Sequence, residues 1–321
     1  MVCGCLLASS CSGDASTLNP GGPAAQRIEG LWWLMLAISS VVFVVVLAFI
    51  VAGIARSRRP GITVSQHVPW GNRFVVIAGI VLPSLILTAV FLISLRDMAA
   101  LSSPPGDPVV TIEVTARDWW WEVRYPETGA VVANEIHIPA GEAVRLRLLG
   151  GDVIHSFWVP RLQAKTDHIP GQVNTMWLQA DEPGRYRGQC AEFCGLQHAN
   201  MIFWVEADPP GEFDRWLADN SADASEPENA DAARGEEIFV NSACAGCHAI
   251  RGTEAAGDLG PDLTHLAGRD TIAAGVLDNT RDNLRRFIID PQGVKPGNTM
   301  PPVELSEDEI ETLLDYLGQL D

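Results

Sequence analysis

The chain has 321 residues, enough for two or three domains. Its formal net charge is −18 at pH 7, which argues against nucleic-acid binding, because proteins that bind nucleic acid are basic, and suits the docking of a basic protein partner. Apolar residues make up 47% of the chain, and near its start they are concentrated in two uncharged runs.

The two apolar runs cover residues 31–55 and 74–95. At about 1.5 Å rise per residue, each is long enough to cross a hydrocarbon core of about 30 Å. Buried helices of globular proteins rarely run so far without a polar face. We therefore predict a transmembrane hairpin over residues 29–97, preceded by a tail or signal remnant at residues 1–28. In this tail Cys11 follows a short apolar segment, and both a lipidated cysteine and a plain tail are open.

The loop between the runs predicts how the hairpin is oriented. It contains four arginines and no acidic residue: Arg56, Arg58, Arg59 and Arg73. Positive loops stay on the cytoplasmic side, so both termini and everything after residue 95 should lie on the periplasmic face of a bacterial plasma membrane. Neither run contains an ionisable residue. Since proton paths through membranes need such groups, we do not expect the hairpin itself to carry one.

Three composition changes divide the rest of the chain. Residues 108–207 contain short β-rich segments separated by Pro/Gly turns, which predicts an all-β Greek-key domain. Residues 208–230 are acidic and rich in Ala, Ser and Asn, which predicts a linker. Residues 231–321 are typical of an all-α domain, whose last helix should begin with a capping box formed by Ser306 and Glu309.

The stretch "GQCAEFCGLQHANM" holds four potential metal ligands: Cys190, Cys194, His198 and Met201. A disulfide is possible in an exported domain, but the neighbouring ligands argue against it. Zinc disfavours methionine, and a mononuclear blue-copper site uses one cysteine rather than two. Two thiolates can instead bridge two copper ions, a dinuclear centre in which each metal also needs one imidazole and one weak ligand.

The remaining ligands of such a centre must come from nearby segments. His155, in "DVIHSFWVP" at the end of a predicted strand, could supply the second imidazole. A lone histidine of this kind is more often a core residue, but the paired motif favours a ligand. Met201 and the backbone carbonyl of Glu192 would be the weak ligands.

A second motif, "CAGCH", is typical of covalent haem c attachment. Cys244 and Cys247 would form the thioethers, and His248 would be the proximal iron ligand. A thioredoxin-like dithiol is the alternative, but the adjacent histidine and the absence of a βαβ pattern argue against it. Met300 is the favoured sixth ligand, because methionine raises the haem potential, and His265 is its competitor.

Residues up to about 207 resemble subunit II of the haem–copper cytochrome c oxidases, the subunit that carries the copper A centre. The resemblance rests on the hairpin and on "CAEFCGLQHANM", "RDWWWEVRYP", "DVIHSFWVP" and "KTDHIPG", in the family's order. Residues 231–321 resemble a class I cytochrome c, and the fusion resembles caa3-type oxidases. The β domain would then be cupredoxin-like.

The resemblance also implies roles for individual residues. The copper A ligands would be the set His155, Cys190, Glu192 through its carbonyl, Cys194, His198 and Met201. The Glu192 side chain would reach a magnesium ion at the boundary with subunit I. Trp119 would be the residue where electrons arrive from cytochrome c, although core packing explains some of the three consecutive tryptophans. The carboxylate that the family often carries at the start of the second span is absent between Arg59 and Arg96.

The function implied is a relay of electrons from cytochrome c, through haem c and copper A, to subunit I, which reduces oxygen to water with proton translocation. Oxidase subunit I, subunit III, cytochrome c and membrane lipid would be the partners. Other copper A subunits, related to nitric or nitrous oxide reductases, and a copper-delivery protein are the alternatives. A quinol oxidase subunit II lacks the copper ligands.

Overall fold

A computed structural model describes residue 13 and residues 15–58 and 70–321. Cys11 and Arg59 lie outside these residues, so the predictions that involve them are not addressed. The helices, in chain order, are α1 (Pro23–Ser57), α2 (Gly71–Val76), a π-helical segment (Ile77–Val81), α3 (Leu82–Leu101), α4 (Glu212–Ser221), α5 (Ala230–Asn241), α6 (Arg281–Ile289), α7 (Pro291–Val294) and α8 (Glu307–Leu317).

The strands are short and all follow α3. They are β1 (Thr111–Arg117), β2 (Trp120–Tyr125), β3 (Ala130–Ala133), β4 (Glu135–Pro139), β5 (Val144–Gly150), β6 (His155–Trp158), β7 (Thr166–His168), β8 (Val173–Leu178), β9 (Gly184–Cys190), β10 (Ile202–Asp208), β11 (Thr271–Ile272) and β12 (Leu277–Asp278). The first ten form the predicted β domain.

Residues 26–103 form one compact unit, which contains the predicted hairpin. Its two helices, Pro23–Ser57 and Gly71–Leu101, each contain an 18-residue stretch of high mean hydropathy, 3.1 and 2.7, and are long and apolar enough to cross a membrane. Arg27 near the start of α1 pairs with Asp97 near the end of α3 at 3.8 Å. The rings of Phe49 and Phe74 meet near the other ends, 5.7 Å apart. Contacts at both ends give an antiparallel pair of helices, as predicted.

The β domain is a sandwich of two five-stranded sheets, with strand orders β3-β2-β1-β5-β8 and β4-β10-β9-β6-β7. In β1 and β10, buried and partly exposed residues alternate, as expected for strands with one face on the core. Trp121 is fully buried between the sheets and packs edge-on against Phe157 and Phe203. Truncating such a ring to alanine typically costs about 3–5 kcal/mol, so this tryptophan is a core residue.

The segment predicted as a linker, residues 208–230, differs from that expectation over 10 of its residues. Residues Glu212–Ser221 form α4, whose Phe213 is buried in the core of the β domain. The ring of Trp216 stacks on His137 at 3.8 Å. The segment contains few apolar residues, so its sequence did not indicate that Phe213 and Trp216 pack against the β domain. One amphipathic turn is enough to hold a short helix on a neighbouring surface. The stretch between α4 and α5 contains neither helix nor strand.

The last ninety residues fold around a small helical core. Phe239 of α5 packs on Tyr316 of α8, and Gly235 comes so close to Thr312 and Tyr316 that a Cβ there would clash. Ser306 and Glu309 form the predicted capping box at the start of α8. The β domain and this helical domain belong to one compact unit. One link between them is the ion pair of Arg185 with Asp270, at 2.6 Å.

Candidate metal centres

Two strands bring the first ligand candidates together. Cys190 ends β9 and His155 begins β6, and the two strands are antiparallel neighbours. With Cys194 they form a buried cluster whose ligand atoms all lie within 4.8 Å of one another. The two sulfurs are 3.7 Å apart, and Nδ1 of His155 lies 3.9 Å from the sulfur of Cys190. Although 35 residues separate His155 from Cys190 in the sequence, the pairing of β6 with β9 brings them together.

The loop from β9 to β10 supplies the other candidates. Nδ1 of His198 and Sδ of Met201 lie 3.7 and 3.8 Å from the sulfur of Cys194. The carbonyl of Glu192 lies 3.2 Å from the sulfur of Cys190. The amide of Cys190 donates to the carbonyl of Met201 at 3.0 Å, which closes the loop at its base. All six predicted ligand positions therefore converge.

The chemistry of this donor set fits a pair of soft cations. The hydrogen bond between the two thiols lowers the pKa of Cys190 to about 3 and raises the pKa of Cys194. The protein alone thus favours one thiolate, because a second negative charge 3.7 Å away is repelled. A cation between the sulfurs would remove that repulsion and favour both thiolates.

Carboxylates that the sequence reasoning missed orient His155. Its Nε2 bonds to Oδ1 of Asp152 at 2.8 Å, and Asp118 lies 3.7 Å away. This arrangement turns Nδ1 toward Cys190, as expected of the partners that orient a metal-binding imidazole. Burial lowers the pKa of His155, but its bonds to Cys190 and Asp152 outweigh burial and raise it overall. The signal available in the sequence was an aspartate three residues before the histidine.

Trp119 lies against the same loop. Its indole Nε1 donates to the carbonyl of Cys194 at 2.8 Å. Gly195 sits beneath the ring, and a Cβ on this glycine would lie 3.1 Å from Cζ2 of the indole. The φ of Gly195 is +116°, a backbone conformation that disfavours other residues. The tryptophan therefore touches the backbone that carries a ligand candidate.

The carboxylate of Glu192 is partly exposed and lies beside a lysine. Its side chain is 45% exposed, and the nearest cation is Nζ of Lys165, 3.6 Å from Oε2. The carbonyl and the carboxylate of one residue thus face different surroundings, one toward the cysteines and the other toward solvent.

The second candidate centre lies after α5. Cys244 lies within a 3₁₀ turn (Ala243–Gly246) and Cys247 directly follows it. The amide of His248 donates to the carbonyl of Cys244 at 2.9 Å. Nδ1 of His248 bonds to the carbonyl of Pro261 at 2.7 Å, leaving Nε2 for a metal. Burial lowers the pKa of His248, which favours the neutral, ligating form. Gly260 lies so close that a Cβ would be 2.5 Å from the imidazole.

These features fit a haem that is attached through Cys244 and Cys247. Met300 is half-buried against the same apolar cluster as Cys244. His265, its competitor, has both ring nitrogens near backbone carbonyls, at 3.1 Å from Asp321 and 3.2 Å from Ala222. With both nitrogens directed at carbonyls, His265 is less suited than Met300 to bind iron.

Comparison with known proteins agrees with this arrangement. Residues 127–208 match the family described as cytochrome C oxidase subunit II, periplasmic domain, and residues 232–321 match cytochrome c. Cytochrome c oxidase subunit 2 of Alkalihalophilus pseudofirmus is 39% identical, covering 98% of this chain and 94% of the relative. The subunit of the same name from Bacillus subtilis is 31% identical over the same shares of each chain.

A solved structure also matches part of the β domain. It is the periplasmic domain of subunit II of cytochrome oxidase, CoxB, from Bradyrhizobium japonicum, with 30% identity and a TM-score of 0.34, covering 35% of this chain and 93% of that one. Two matched domains and relatives aligned over nearly their whole length lead to one conclusion: the chain belongs to the cytochrome c oxidase subunit II family, in a form that carries a cytochrome c domain.

Proposed function

We propose that this chain is the electron-input subunit of a caa3-type haem–copper oxidase. Electrons would arrive from an external cytochrome c, pass through a covalent haem c and a dinuclear copper A centre, and leave to subunit I. Oxygen reduction and proton translocation would take place in that partner. The observation that carries the proposal is the convergence of two thiols, two imidazoles and a thioether at one site, formed by the loop from β9 to β10 and the first residue of β6.

Each residue of the copper site would have a distinct task. Cys190 and Cys194 would bridge the metals, His155 and His198 would each complete one copper, and Met201 and the Glu192 carbonyl would be weak ligands. When bound, the copper pair supplies a centre that shares a single electron over two metals. Asp152 holds the imidazole of His155 in place through its 2.8 Å bond. Such rigid ligands keep rearrangement small when the charge of the site changes.

The haem site would be completed by thioethers at Cys244 and Cys247, with His248 and Met300 as axial ligands. The Pro261 carbonyl fixes the ring of His248 by its 2.7 Å hydrogen bond. Trp119 would lie on the electron path to copper, supported by its hydrogen bond to the carbonyl of Cys194. With His248 and Met300 on the iron, and protein ligands around the copper pair, neither centre would have a place for substrate, so both would be suited to electron transfer alone.

The proposed complex extends beyond this chain. The apolar helices would anchor it in the bacterial plasma membrane, beside subunits I and III, with both redox domains on the periplasmic face. The exposed carboxylate of Glu192 would reach a magnesium ion shared with subunit I. From residue 231 onward the chain has more acids than bases, which favours docking of a basic cytochrome c on the haem domain.

Metal analysis and spectroscopy of the purified complex test the proposal. We expect two coppers per chain, an electron paramagnetic resonance signal with hyperfine coupling to two equivalent copper nuclei, and a c-type haem band that survives acid–acetone extraction. A single-copper signal would favour a copper-delivery protein instead. Reduction by quinol without any copper signal would indicate a quinol oxidase and overturn the proposal.

A further inference from the structure

One buried lysine of the domain that carries the haem motif contacts the copper domain. Among the 22 basic residues of the sequence only two are lysines, Lys165 and Lys295. Lys165 is 51% exposed, whereas Lys295 is 3% exposed. A buried ammonium needs partners for its three N–H donors, because desolvation without them is strongly unfavourable.

Lys295 finds those partners in three backbone carbonyls. Its Nζ lies 2.7 Å from the carbonyl of Trp119, 3.2 Å from that of Asn200 and 3.1 Å from that of Ala273. The first two belong to the copper domain and the third to the haem domain. Trp119 directly follows Asp118, which lies beside His155. Asn200 immediately precedes Met201. The ammonium therefore joins both domains at the backbone of the copper site.

Other residues of the loop that carries the copper ligands also contact the haem domain. Gln197, which precedes His198, donates through Nε2 to the carbonyl of Pro296 at 2.7 Å. Its Oε1 accepts from Asn200 at 2.8 Å, which fixes the amide in place. The side chain of Leu196 packs against Gly297, where a Cβ would approach it to 2.7 Å. Residues 295–297 thus lie directly on the loop that supplies the copper ligands.

One asparagine connects this contact rigidly to Met300. Nδ2 of Asn298 donates to the carbonyl of Lys295 at 2.6 Å, and its Oδ1 accepts from the amide of Met300 at 2.8 Å. Gln292 adds a bond to the carbonyl of Asn298 at 2.8 Å. A displacement of Lys295 is therefore transmitted to the proposed haem ligand through two short hydrogen bonds rather than through a flexible chain.

A second part of the haem domain covers the neighbouring tryptophan. Ala273, Ala274 and Gly275 have φ values of 54°, 59° and 77°, three consecutive left-handed residues, of which two carry a Cβ. Ala274 packs on Trp120, which is 9% exposed, and Gly275 lies against Ile202. Such a backbone conformation persists only when its surroundings hold it, so this turn is fixed by the interface.

We propose that Lys295 is a positioning residue, which fixes the Met300 loop of the haem domain on the copper-ligand loop beside Trp119. The inference rests on the proposed function, in which both centres carry electrons. Trp119 then serves transfer within the chain. A compact amine suits the three carbonyls, whereas the planar fork of arginine does not.

Amine labelling of the intact, metal-loaded chain tests the docking directly. With an N-hydroxysuccinimide ester at limiting dose, Lys165 is the internal control within the same molecule. We expect Lys295 to react on the order of 100-fold more slowly, since it becomes accessible only when the domains separate. Equal labelling of the two lysines, in protein whose copper and haem spectra are intact, would overturn this inference and leave the proposed function standing. Absent copper or haem spectra would overturn the proposed function itself.

Variants then separate positioning from folding. In Lys295→Ala we expect unchanged copper and haem spectra, at least about tenfold slower transfer from haem to copper after rapid reduction, and faster amide hydrogen exchange in residues 197–202 and 273–275. Added ethylammonium should restore both the transfer rate and the slow hydrogen exchange by occupying the space left by the lysine amine, whereas guanidinium should not. The Lys295→Arg variant should behave like Lys295→Ala.

Arg234→Met is the matched control, because it removes a cation of the haem domain whose only ion pair among the described residues, with Asp308, is exposed. It should leave transfer and exchange unchanged. Wild-type transfer and exchange rates in Lys295→Ala would overturn the proposal. A slowed Lys295→Ala that ethylammonium fails to restore would assign the residue a general structural role, and would overturn it as well.

Discussion

The indole Nε1 of Trp119 donates a 2.8 Å hydrogen bond to the backbone carbonyl of Cys194. The ring is thereby attached to the peptide of one bridging candidate, while its neighbour Trp121 is a buried core residue. Two tryptophans that are separated by one residue therefore serve different purposes. The contact gives a short bonded connection between the domain surface and the proposed copper pair.

Replacing Trp119 with phenylalanine should slow copper reduction while leaving the metal in place. The substitution removes the indole N–H and its bond to the Cys194 carbonyl, but no ligand atom. We expect about a tenfold lower rate of copper reduction, equivalent to ~1.4 kcal/mol in the barrier, with two coppers retained. Stopped-flow absorption of the copper band measures the rate. Trp216→Phe, on the face that packs on His137, is the control and should not alter it. An unchanged rate in Trp119→Phe would remove this residue from the path.

Removing one sulfur should change the number of metals. With Cys194→Ser a hard hydroxyl replaces the second thiolate, so the bridge between two soft cations is lost. We expect copper content to fall from two to one per chain, and the shared hyperfine pattern to become that of a single nucleus. Met201→Leu removes only a weak ligand and should keep both metals with a shifted spectrum. Two coppers with coupled nuclei in Cys194→Ser would contradict the bridging role.

Much of this organisation could be predicted from the sequence. The spacing from Cys190 to Met201 identified one loop, and the apolar runs identified the hairpin, because both signals are local. His155 was predicted as the second imidazole from its place at the end of a predicted strand, and the family resemblance supported it, but 35 residues of intervening chain left its position relative to that loop undetermined. Sheet pairing of β6 with β9 settles it.

Contacts between domains were beyond prediction for a physical reason. Lys295 carries no periodic or motif signal, and its three acceptors are backbone carbonyls, which any sequence provides. Helix α4 was missed because its two aromatic anchors lie within an acidic, polar segment. The rarity of lysine in this chain was the only feature that distinguished Lys295 in the sequence, and it did not indicate which residues the lysine contacts.

A single methyl group should distinguish two glycines near the haem motif. In Gly260→Ala the new Cβ would lie 2.5 Å from the His248 imidazole, so the ring must move from its bond with Pro261. We expect reduced haem incorporation and an altered axial-ligand spectrum. Gly246→Ala, inside the attachment motif, meets nothing within 4 Å and should be tolerated. Equal haem content and identical spectra for both variants would show that His248 is not held where described.

The polar contact between the two domains should respond to pH through Glu206. Burial raises the pKa of this carboxyl to about 7, although Arg185, 2.9 Å away, partly opposes the shift. Arg185 also pairs with Asp270 of the haem domain, so the carboxyl belongs to the interface. The folded state therefore binds a proton more tightly than the unfolded chain, whose glutamate has a pKa of 4.5.

Stability from this group is fully present below pH 4.5 and is lost as the pH rises through about 7. We expect the melting temperature of the full chain in detergent to fall across that interval, and Glu206→Gln to flatten the fall because its amide does not titrate. Glu254→Gln, at an exposed site in the haem domain, should keep the wild-type slope. If Glu206→Gln and wild type share the same pH profile, the carboxyl is ionised throughout and the desolvation argument for this interface is wrong.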